Sequence, residues 1–297
     1  MLAGVIRAAD ESDFEAGLEV IQRVWPQAVG SVEGWRHDLR AEPAEARRAY
    51  WAAEEDGGIV GWAIAFVDHQ SVERPGGFRV SVLEEHRGRG VGGKLYERCA
   101  DHLAAVGVRR VETRSQEGAA AQAFLRSRGF RHCSTATVSS VDPSAVEPGE
   151  APEGVSLRRL AELDPELVFA IDAATSADIP NEDVDDLRYE QWLADYWTHP
   201  DLDLESSAAA VADGVAVSFS CLDASGDRGV SSMTGTLRSH RGRGLAELVK
   251  RATLANAAAR GIRLAITHND ETNAAMLRVN AKLGYEPVGT LLGWKRD

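Results

Sequence analysis

The sequence predicts an α+β protein made of two tandem copies of one domain, each with a mixed, mostly antiparallel sheet flanked by helices. The pentapeptide HRGRG occurs at His86–Gly90 and again at His240–Gly244, an offset of 154 residues. Downstream segments repeat in the same order at nearly the same offset: Ala105–Arg109 with Ala259–Arg263, and Arg128–Phe130 with Leu283–Tyr285. Similarity that recurs in order at one offset indicates a duplicated domain.

A segment with the composition of a linker separates the two copies. Residues 139–156 read SSVDPSAVEPGEAPEGVS and contain few side chains that a core would bury, which is typical of a connecting segment. A chain of 297 residues also has the length expected of about two domains. We therefore predict an N-terminal domain over residues 1–140, a linker over 141–154 and a C-terminal domain over 155–297.

The first half of each copy is predicted to contain a strand, a helix, a second helical segment and three strands. The first strands are expected at 4–8 and 156–160, the first helices at 11–25 and 164–174, and the second helical segments near 34–42 and 189–199. Alternating apolar residues, the pattern of half-buried strands, then predict strands at 50–54, 59–68 and 77–83, and at 207–212, 215–223 and 229–237.

The second half of each copy begins with a glycine-rich turn and a long helix, expected at 92–106 and 245–260. In the second helix Leu245, Leu248, Val249 and Ala252 follow the spacing of one helical face. A strand, another helix and a final strand complete each copy, with the strand at 110–114 or 264–267 and the helix at 119–127 or 272–282.

Composition limits the classes of function. The net charge of −13 argues against a nucleic-acid binder, which usually carries a basic face, and is compatible with a cationic small substrate. The three cysteines have no metal or disulfide spacing, so we expect no metal. The sequence has neither a signal-peptide pattern nor an apolar run long enough to span a bilayer, and we expect a cytoplasmic protein that binds no membrane.

The glycine-rich turns are predicted to bind an anion. The first N–H groups of a helix have no intrahelical partners, the helix dipole adds partial positive charge there, and glycine allows close approach of a ligand to the backbone. Such a turn suits a phosphate or pyrophosphate. The Walker A pattern fails because Leu95 stands where a hydroxyl is needed, and the dinucleotide pattern G-x-G-x-x-G fails in the second copy at Glu247.

Both copies share the pattern R-x-x-G-x-G/A, and here the chain resembles the GNAT (Gcn5-related) acetyltransferases. In that family this turn binds the pyrophosphate of acyl-CoA, and the order of elements around it agrees. The resemblance covers nearly the whole chain and implies acetyl-CoA as cosubstrate. It implies pyrophosphate contacts at Arg87, Gly88, Arg89, Gly90, Val91 and Gly92, and at Arg241, Gly242, Arg243, Gly244, Leu245 and Ala246.

The resemblance also implies a mechanism. In the family, pantetheine lies where two strands separate, and the strand before the turn polarises the thioester carbonyl; here that strand offers Thr234 and Thr236, or Val82 in the first copy. An amine attacks the acetyl carbonyl directly, without a covalent enzyme intermediate. His268 is the candidate for the catalytic acid or base.

The second copy keeps more of the family pattern than the first. Asn269 and Asn273 belong to a T-x-N…N-x-x-M pattern of one GNAT subgroup and are candidates to contact CoA; the alternative for Asn273 is a helix N-terminal residue. Many members have a tyrosine acid where this chain has Asn280 and Leu125. We therefore expect the C-terminal copy to be catalytic and the N-terminal copy to be degenerate.

The acceptor is expected to bind beside residues 176–205, which are rich in acids and aromatics. Asp183, Asp185, Asp186 and Tyr189 are candidates to attract a cationic amine; the alternative is a solvated acidic loop whose aromatics face the core. The leading hypothesis is a bacterial N-acetyltransferase, a monomer or homodimer, that acetylates a primary amine of a small cationic acceptor. The alternatives are mycothiol synthase, which also has two GNAT halves, and a non-catalytic acyl-CoA-binding sensor or scaffold.

Overall fold

The computed structural model describes residues 5–71, 73–176 and 188–297. The chain divides into two compact units: Met1–Ser134 with Leu292–Asp297, here called the N-terminal unit, and Thr135–Leu291, here called the C-terminal unit. This division differs from the sequence boundaries at both ends, because residues 135–140 lie in the C-terminal unit and residues 292–297 in the N-terminal unit.

The N-terminal unit is α+β, as the sequence predicts. Its strands are β1 (Val5–Ala8), β2 (Ala49–Glu55), β3 (Gly58–Val67), β4 (Gly76–Val82) and β5 (Val111–Gln116), and its helices are α1 (Phe14–Val24), α2 (Val32–Ala41), α3 (Val91–Ala105) and α4 (Ala119–Arg126). The unit also contains residues 131–134, the start of β6 (Arg131–Val141), and residues 292–296, the end of β12 (Glu286–Arg296).

The sheet of the N-terminal unit is covered by helices on both faces. Strands β1 to β5 are neighbours in sequence order, antiparallel except for the parallel pair β4 and β5. In β3, Trp62 packs against Gly17 of α1, whereas the preceding Gly61 packs against Leu95 of α3. Since successive strand residues point to opposite faces, α1 and α3 lie on opposite sides of the sheet.

The end of the chain completes the core of the N-terminal unit. Trp294 is 1% exposed and belongs to the same apolar cluster as Phe14 and Trp62. Its Nε1 donates a hydrogen bond of 3.1 Å to Ser115 Oγ on β5. Arg296 Nη1 donates one of 2.6 Å to the Tyr96 hydroxyl on α3. The N-terminal unit therefore depends on residues that the sequence assigns to the second copy.

The C-terminal unit repeats the same order of elements. Its strands are β7 (Val155–Arg159), β8 (Ala208–Ala212), β9 (Val215–Ser225), β10 (Arg228–Thr236) and β11 (Leu264–Asp270). Its helices are α5 (Pro165–Thr175), α6 (Tyr189–Trp192), which continues into a π-helical turn at Leu193–Trp197, α7 (Leu245–Ala259) and α8 (Ala274–Lys282). The sheet order is β7–β8–β9–β10–β11, with only β10 and β11 parallel.

A strand from the first copy closes the sheet of the C-terminal unit. The end of β6 pairs antiparallel with β11, from Ala136 opposite Asp270 to Val141 opposite Ala265. The chain then makes a 3-10 turn at Pro143–Ala145, and Val146 packs into a cluster with Val141, Leu254, Leu283 and Tyr285. The first part of the expected linker is therefore packed against the C-terminal unit.

Candidate functional site

A tight turn joins β10 to α7 in the C-terminal unit. Gly242 and Gly244 have φ of +73° and +77°, and an added Cβ at either would meet nothing within 4 Å. The left-handed backbone, not crowding, therefore requires glycine. Gly244 is the N-cap of α7 and provides no side chain for capping, so the first N–H groups of α7 have no intrahelical partners. They are available to an anion, which the helix dipole also favours.

The first arginine of each turn holds the turn against the preceding strand. Arg241 Nε donates a hydrogen bond of 3.0 Å to the Thr236 carbonyl at the end of β10. Arg87 Nε does the same at 2.9 Å to the Val82 carbonyl at the end of β4. These matched contacts fix both turns in the same way, so the two arginines form a natural pair for mutagenesis.

The second arginine of each turn distinguishes the two units. Arg89 Nη1 lies 3.8 Å from Glu55 Oε2, and the same carboxylate oxygen lies 2.5 Å from His86 Nδ1. Arg243 is exposed and has no ion pair within the described part of the chain. The positive charge of Arg243 is therefore less compensated by carboxylates than that of Arg89, and it is more available to an anionic ligand.

Strand β10 has a bulge where it separates from β11. Its register with β9 passes from Ser231 opposite Leu222 to Thr234 opposite Ser220, which leaves one extra residue on β10. The parallel pairing of β10 with β11 ends at Ser231 opposite Thr267. Past this pair, the backbone from Ser232 onward has no β11 register partner among the described residues. An extended ligand has backbone groups there with which it can pair as an added strand.

The N-terminal unit has a similar separation without the bulge. Strand β4 pairs with β3 in unbroken register over its whole length, and its parallel pairing with β5 ends at Gly77 opposite Glu112. The next carbonyl, that of Phe78, accepts a hydrogen bond of 2.6 Å from Thr113 Oγ1. The Thr113 hydroxyl thus occupies the Phe78 carbonyl, which an extended ligand between β4 and β5 would need. The separation in the N-terminal unit is therefore less suited to bind such a ligand.

The hydroxyls of Thr234 and Thr236 are already used within the sheet. Thr234 Oγ1 donates to Ser220 Oγ at 3.3 Å, and Thr236 Oγ1 shares a hydrogen bond of 2.8 Å with Ser218 Oγ. Contacts of these two residues with a ligand would therefore be made by their backbone groups.

An asparagine pair lies beside the separation in the C-terminal unit. Asn280 Nδ2 on α8 donates a hydrogen bond of 2.6 Å to Asn269 Oδ1 on β11, which also accepts from Thr267 Oγ1 at 3.4 Å. Asn280 is 4% exposed, and its Oδ1 has no hydrogen-bond partner among the described residues. A buried acceptor without a donor is costly, so this oxygen is placed to accept a hydrogen bond from a ligand. Sequence reasoning placed Asn280 in the family pattern and noted it where many members have a tyrosine, but did not name it as a ligand contact.

The two remaining candidates on this side have structural neighbours. His268 lies on β11 one residue past its last parallel pair with β10, opposite Val138 of β6. Asn273 is the N-cap of α8, and its Oδ1 accepts a hydrogen bond of 3.2 Å from the Met276 backbone N–H. The helix N-terminal alternative for Asn273 therefore matches the geometry.

Replacing Asn273 with Ala is expected to lower the free energy of unfolding by about 1 kcal/mol, the usual cost of losing an N-cap, with acetyl-CoA affinity unchanged. Chemical denaturation and calorimetric titration measure the two effects. Asn273→Ser is the control, because it keeps an N-cap side chain and should restore stability. A loss of acetyl-CoA affinity at unchanged stability would show instead that Asn273 is a ligand contact.

Asp223 lies on the opposite side of β10, near the end of β9. It pairs with Val230 in the antiparallel register, and the Ser232 hydroxyl, within the bulge, donates a hydrogen bond to its carboxylate. Desolvation raises the pKa of Asp223 to about 6, although Ser232 and His199 act in the other direction. A carboxylate with this pKa is mostly ionised at neutral pH and is suited to accept a proton.

Two more carboxylates are buried on the same side. Asp201 and Asp172 are 9% and 5% exposed, and Asp172 accepts a hydrogen bond of 2.7 Å from Trp192 Nε1. Desolvation, Asp223 and Asp172 together raise the pKa of the Cys221 thiol. Burying several carboxylates is unfavourable unless cations or hydrogen-bond donors compensate. This face of the C-terminal unit is therefore acidic. Sequence reasoning did not single out any of the three.

The residues expected to bind the acceptor are only partly described. Asp183, Asp185 and Asp186 lie outside the described residues. The Tyr189 ring stacks on Trp192, with centroids 6.3 Å apart and an interplanar angle of 21°, and contacts Phe169 edge-on at 5.2 Å. Tyr189 is thus part of an aromatic cluster that packs beside Asp172.

The acetyltransferase (GNAT) family model matches residues 14–130. The solved structure of a GNAT from Sphaerobacter thermophilus is similar over 98% of this chain and 95% of its own, at 19% identity and a TM-score of 0.73. A tandem GNAT protein from the clavulanic acid biosynthesis pathway is similar over 98% of both chains, at 18% identity and a TM-score of 0.75. No curated protein matches the sequence.

These similarities confirm the predicted fold, two tandem GNAT-like domains. The family match lies in the N-terminal copy and supports acyl transfer in general. The described ranges contain no group of three or more His, Cys, Asp or Glu side chains placed to hold a metal ion. Within the same ranges, no helix has the length and apolar character needed to cross a bilayer.

Proposed function

We propose that the protein is an acyl-CoA-dependent N-acetyltransferase of a small cationic amine and that its chemistry takes place in the C-terminal unit. The observation that carries this proposal is the bulge in β10 at the end of its pairing with β11. Beyond the bulge, the β10 backbone has groups with which the pantetheine arm of acetyl-CoA can pair. The turn at Gly242 and Gly244 follows β10 in the chain, and Arg243 in that turn is exposed and positively charged.

The residues around this separation supply the steps that acyl transfer needs. The N–H groups at the start of α7 and Arg243 bind the pyrophosphate of the cosubstrate, acetyl-CoA. Asn280 Oδ1 accepts a hydrogen bond from it, and the β10 backbone near Ser232 stabilises the oxyanion. Asp223 removes a proton from the acceptor ammonium. The neutral amine then bonds to the acetyl carbon, the carbon–sulfur bond breaks, and CoA leaves as the thiolate, which takes up the proton that the nitrogen loses.

The acceptor is proposed to be cationic because its side of the site is acidic. Asp172, Asp201 and Asp223 lie on the face where an amine would approach Ser232. An ammonium ion there offsets the cost of the buried carboxylates, and it brings its proton within reach of Asp223. Asp183, Asp185 and Asp186 stay predicted contacts of the acceptor.

A second function, an acyl-CoA sensor without turnover, is favoured by one observation. Asn280 stands where many GNAT enzymes have the tyrosine that protonates the thiolate, and its Nδ2 is occupied by Asn269. If the protein is a sensor, it binds acetyl-CoA but acetylates no amine in a panel of mono- and polycationic amines.

The matched arginines test where the chemistry occurs. Arg241→Glu is expected to raise the Kd for acetyl-CoA at least about tenfold, because it releases the turn from β10 and places a negative charge beside the pyrophosphate; Arg87→Glu should leave turnover nearly unchanged. Calorimetry measures acetyl-CoA binding. Mass spectrometry of the acetylated amine measures turnover, since the exposed Cys133 would react with a thiol reagent. Equal losses in both variants would contradict the assignment to the C-terminal unit, and no binding by the wild type would contradict the function.

A further inference from the structure

Three arginines lie on one face of the N-terminal unit, where β4 and β5 separate. The last parallel pair is Gly77 opposite Glu112, so Arg79 and Arg114 stand level with each other, each two residues further along its strand. Because side chains two residues apart share a face, the two guanidiniums point to the same side. Arg48 precedes β2 and is close enough to contribute to the electrostatics of Arg79. We call Arg48, Arg79 and Arg114 the arginine face.

The arginine face lies on the side of the sheet that carries α1. Arg79 pairs with Ile64 of β3, and Ile64 pairs with Tyr50 of β2. Tyr50 packs against Phe14 of α1, with ring centroids 5.1 Å apart. Helix α3, which begins at the glycine turn, covers the opposite side. The arginine face is therefore separate from the helix N-terminus that would bind a pyrophosphate.

Two of these charges are not compensated. Arg48 forms an ion pair with Glu42, but Arg79 and Arg114 have neither an ion pair nor a hydrogen bond within residues 5–71, 73–176 and 188–297. The chain has 46 acidic residues against 33 Lys and Arg, so a shortage of carboxylates does not explain their isolation. Adjacent unpaired guanidiniums repel one another, and an anion would relieve that repulsion.

Arg79 is also reachable by a ligand. The residue is exposed to solvent, yet desolvation, followed by Arg114 and Arg48, lowers its pKa to about 10. The guanidinium stays charged at neutral pH and is open to solvent, so an anion can reach it.

We propose that the N-terminal unit binds a small anionic ligand, a carboxylate or a phosphate compound, between Arg79 and Arg114. Guanidinium groups bind both anions through paired N–H donors. This site is opposite in charge to the acidic face around Asp223 in the C-terminal unit. The inference does not depend on acyl transfer by either unit.

Calorimetric titration of the full chain with citrate and with inorganic phosphate tests the site. We expect binding that depends on Arg79 and Arg114 with at least one of the two probes, and the tighter probe identifies the ligand class. Arg79→Gln and Arg114→Gln should each raise the Kd at least about tenfold, and added NaCl should weaken binding in the wild type. Arg109→Gln is the matched control, an exposed arginine of the same unit that should bind like the wild type.

Further titrations separate this site from the glycine turns. Acetyl-CoA should bind to Arg79→Gln with wild-type affinity, and citrate or phosphate should bind to Arg87→Glu with wild-type affinity. Absence of binding by both probes at millimolar concentration would overturn the proposal. So would unchanged binding in Arg79→Gln and Arg114→Gln, or loss of anion binding in Arg87→Glu, which would place the anion in the turn.

Discussion

Replacing Asp223 with Asn is expected to lower kcat/KM for a cationic amine by about two to three orders of magnitude, the usual contribution of a general base. The amide keeps the size of the carboxylate and can still accept the Ser232 hydrogen bond, but it cannot take a proton. Acetyl-CoA affinity should not change, because Asp223 lies on the face opposite Tyr285 and α7. Steady-state kinetics and calorimetry measure the two quantities on the same preparation.

The pH dependence of this variant provides an independent readout. In the wild type, kcat/KM should rise as pH increases through about 6, because Asp223 acts as a base only after it loses its own proton. In Asp223→Asn this rise should be absent, and the remaining activity should depend on pH only through the amine. A wild-type profile in the variant would assign the base to another group, with His268 the next candidate.

Stability should change in the opposite direction from activity. The pKa of Asp223 is raised in the folded protein, so folding favours the protonated carboxyl; this contribution is complete below the unfolded pKa and is lost as pH rises through about 6. Asp223→Asn should therefore raise Tm at about pH 8 and have little effect at about pH 4. Asp213→Asn is the control, since Asp213 is exposed at φ of +51°, a conformation that Asn also tolerates.

The glycine turns of the candidate site could be predicted from sequence, but the surroundings of Asp223 could not. The glycine turns at Gly88–Gly90 and Gly242–Gly244 are local: a strand, two glycines and a helix follow one another in the chain. The environment of Asp223 instead depends on Ser232, His199 and Asp201, which come from two other segments. The only local signal is one carboxylate near the end of the apolar strand VAVSFSCLD, and many solvated strand ends have the same pattern.

The sequence also did not predict that the final strand of each copy ends in the other unit. The repeats Arg128–Phe130 and Leu283–Tyr285 each precede a final strand, and nothing in either strand shows in which unit it ends. In the structure β6 passes from the N-terminal to the C-terminal unit, and β12 passes in the other direction. A duplicated sequence therefore does not imply that each copy contains its whole core.

Replacing Trp294 with Ala is expected to destabilise the N-terminal unit by about 3–5 kcal/mol, the cost of removing a buried aromatic side chain and leaving a cavity. The ring is 1% exposed, lies in the cluster with Phe14 and Trp62, and donates to Ser115. Hydrogen exchange followed by mass spectrometry should show lost protection in α3 and β3, whereas β9 and α7 of the C-terminal unit keep theirs.

Asp297→Ala is the matched control, because Asp297 is exposed and its ion pair with Arg131 lies at the surface, where such pairs add little stability. If chemistry occurs in the C-terminal unit, Trp294→Ala should still bind acetyl-CoA at the turn of Gly242 and Gly244. Uniform loss of protection in both units would show that they unfold as one body. Unchanged protection of α3 would contradict the role of the chain end in the N-terminal core. Loss confined to the N-terminal unit would show that residues encoded in the second copy hold the first copy folded.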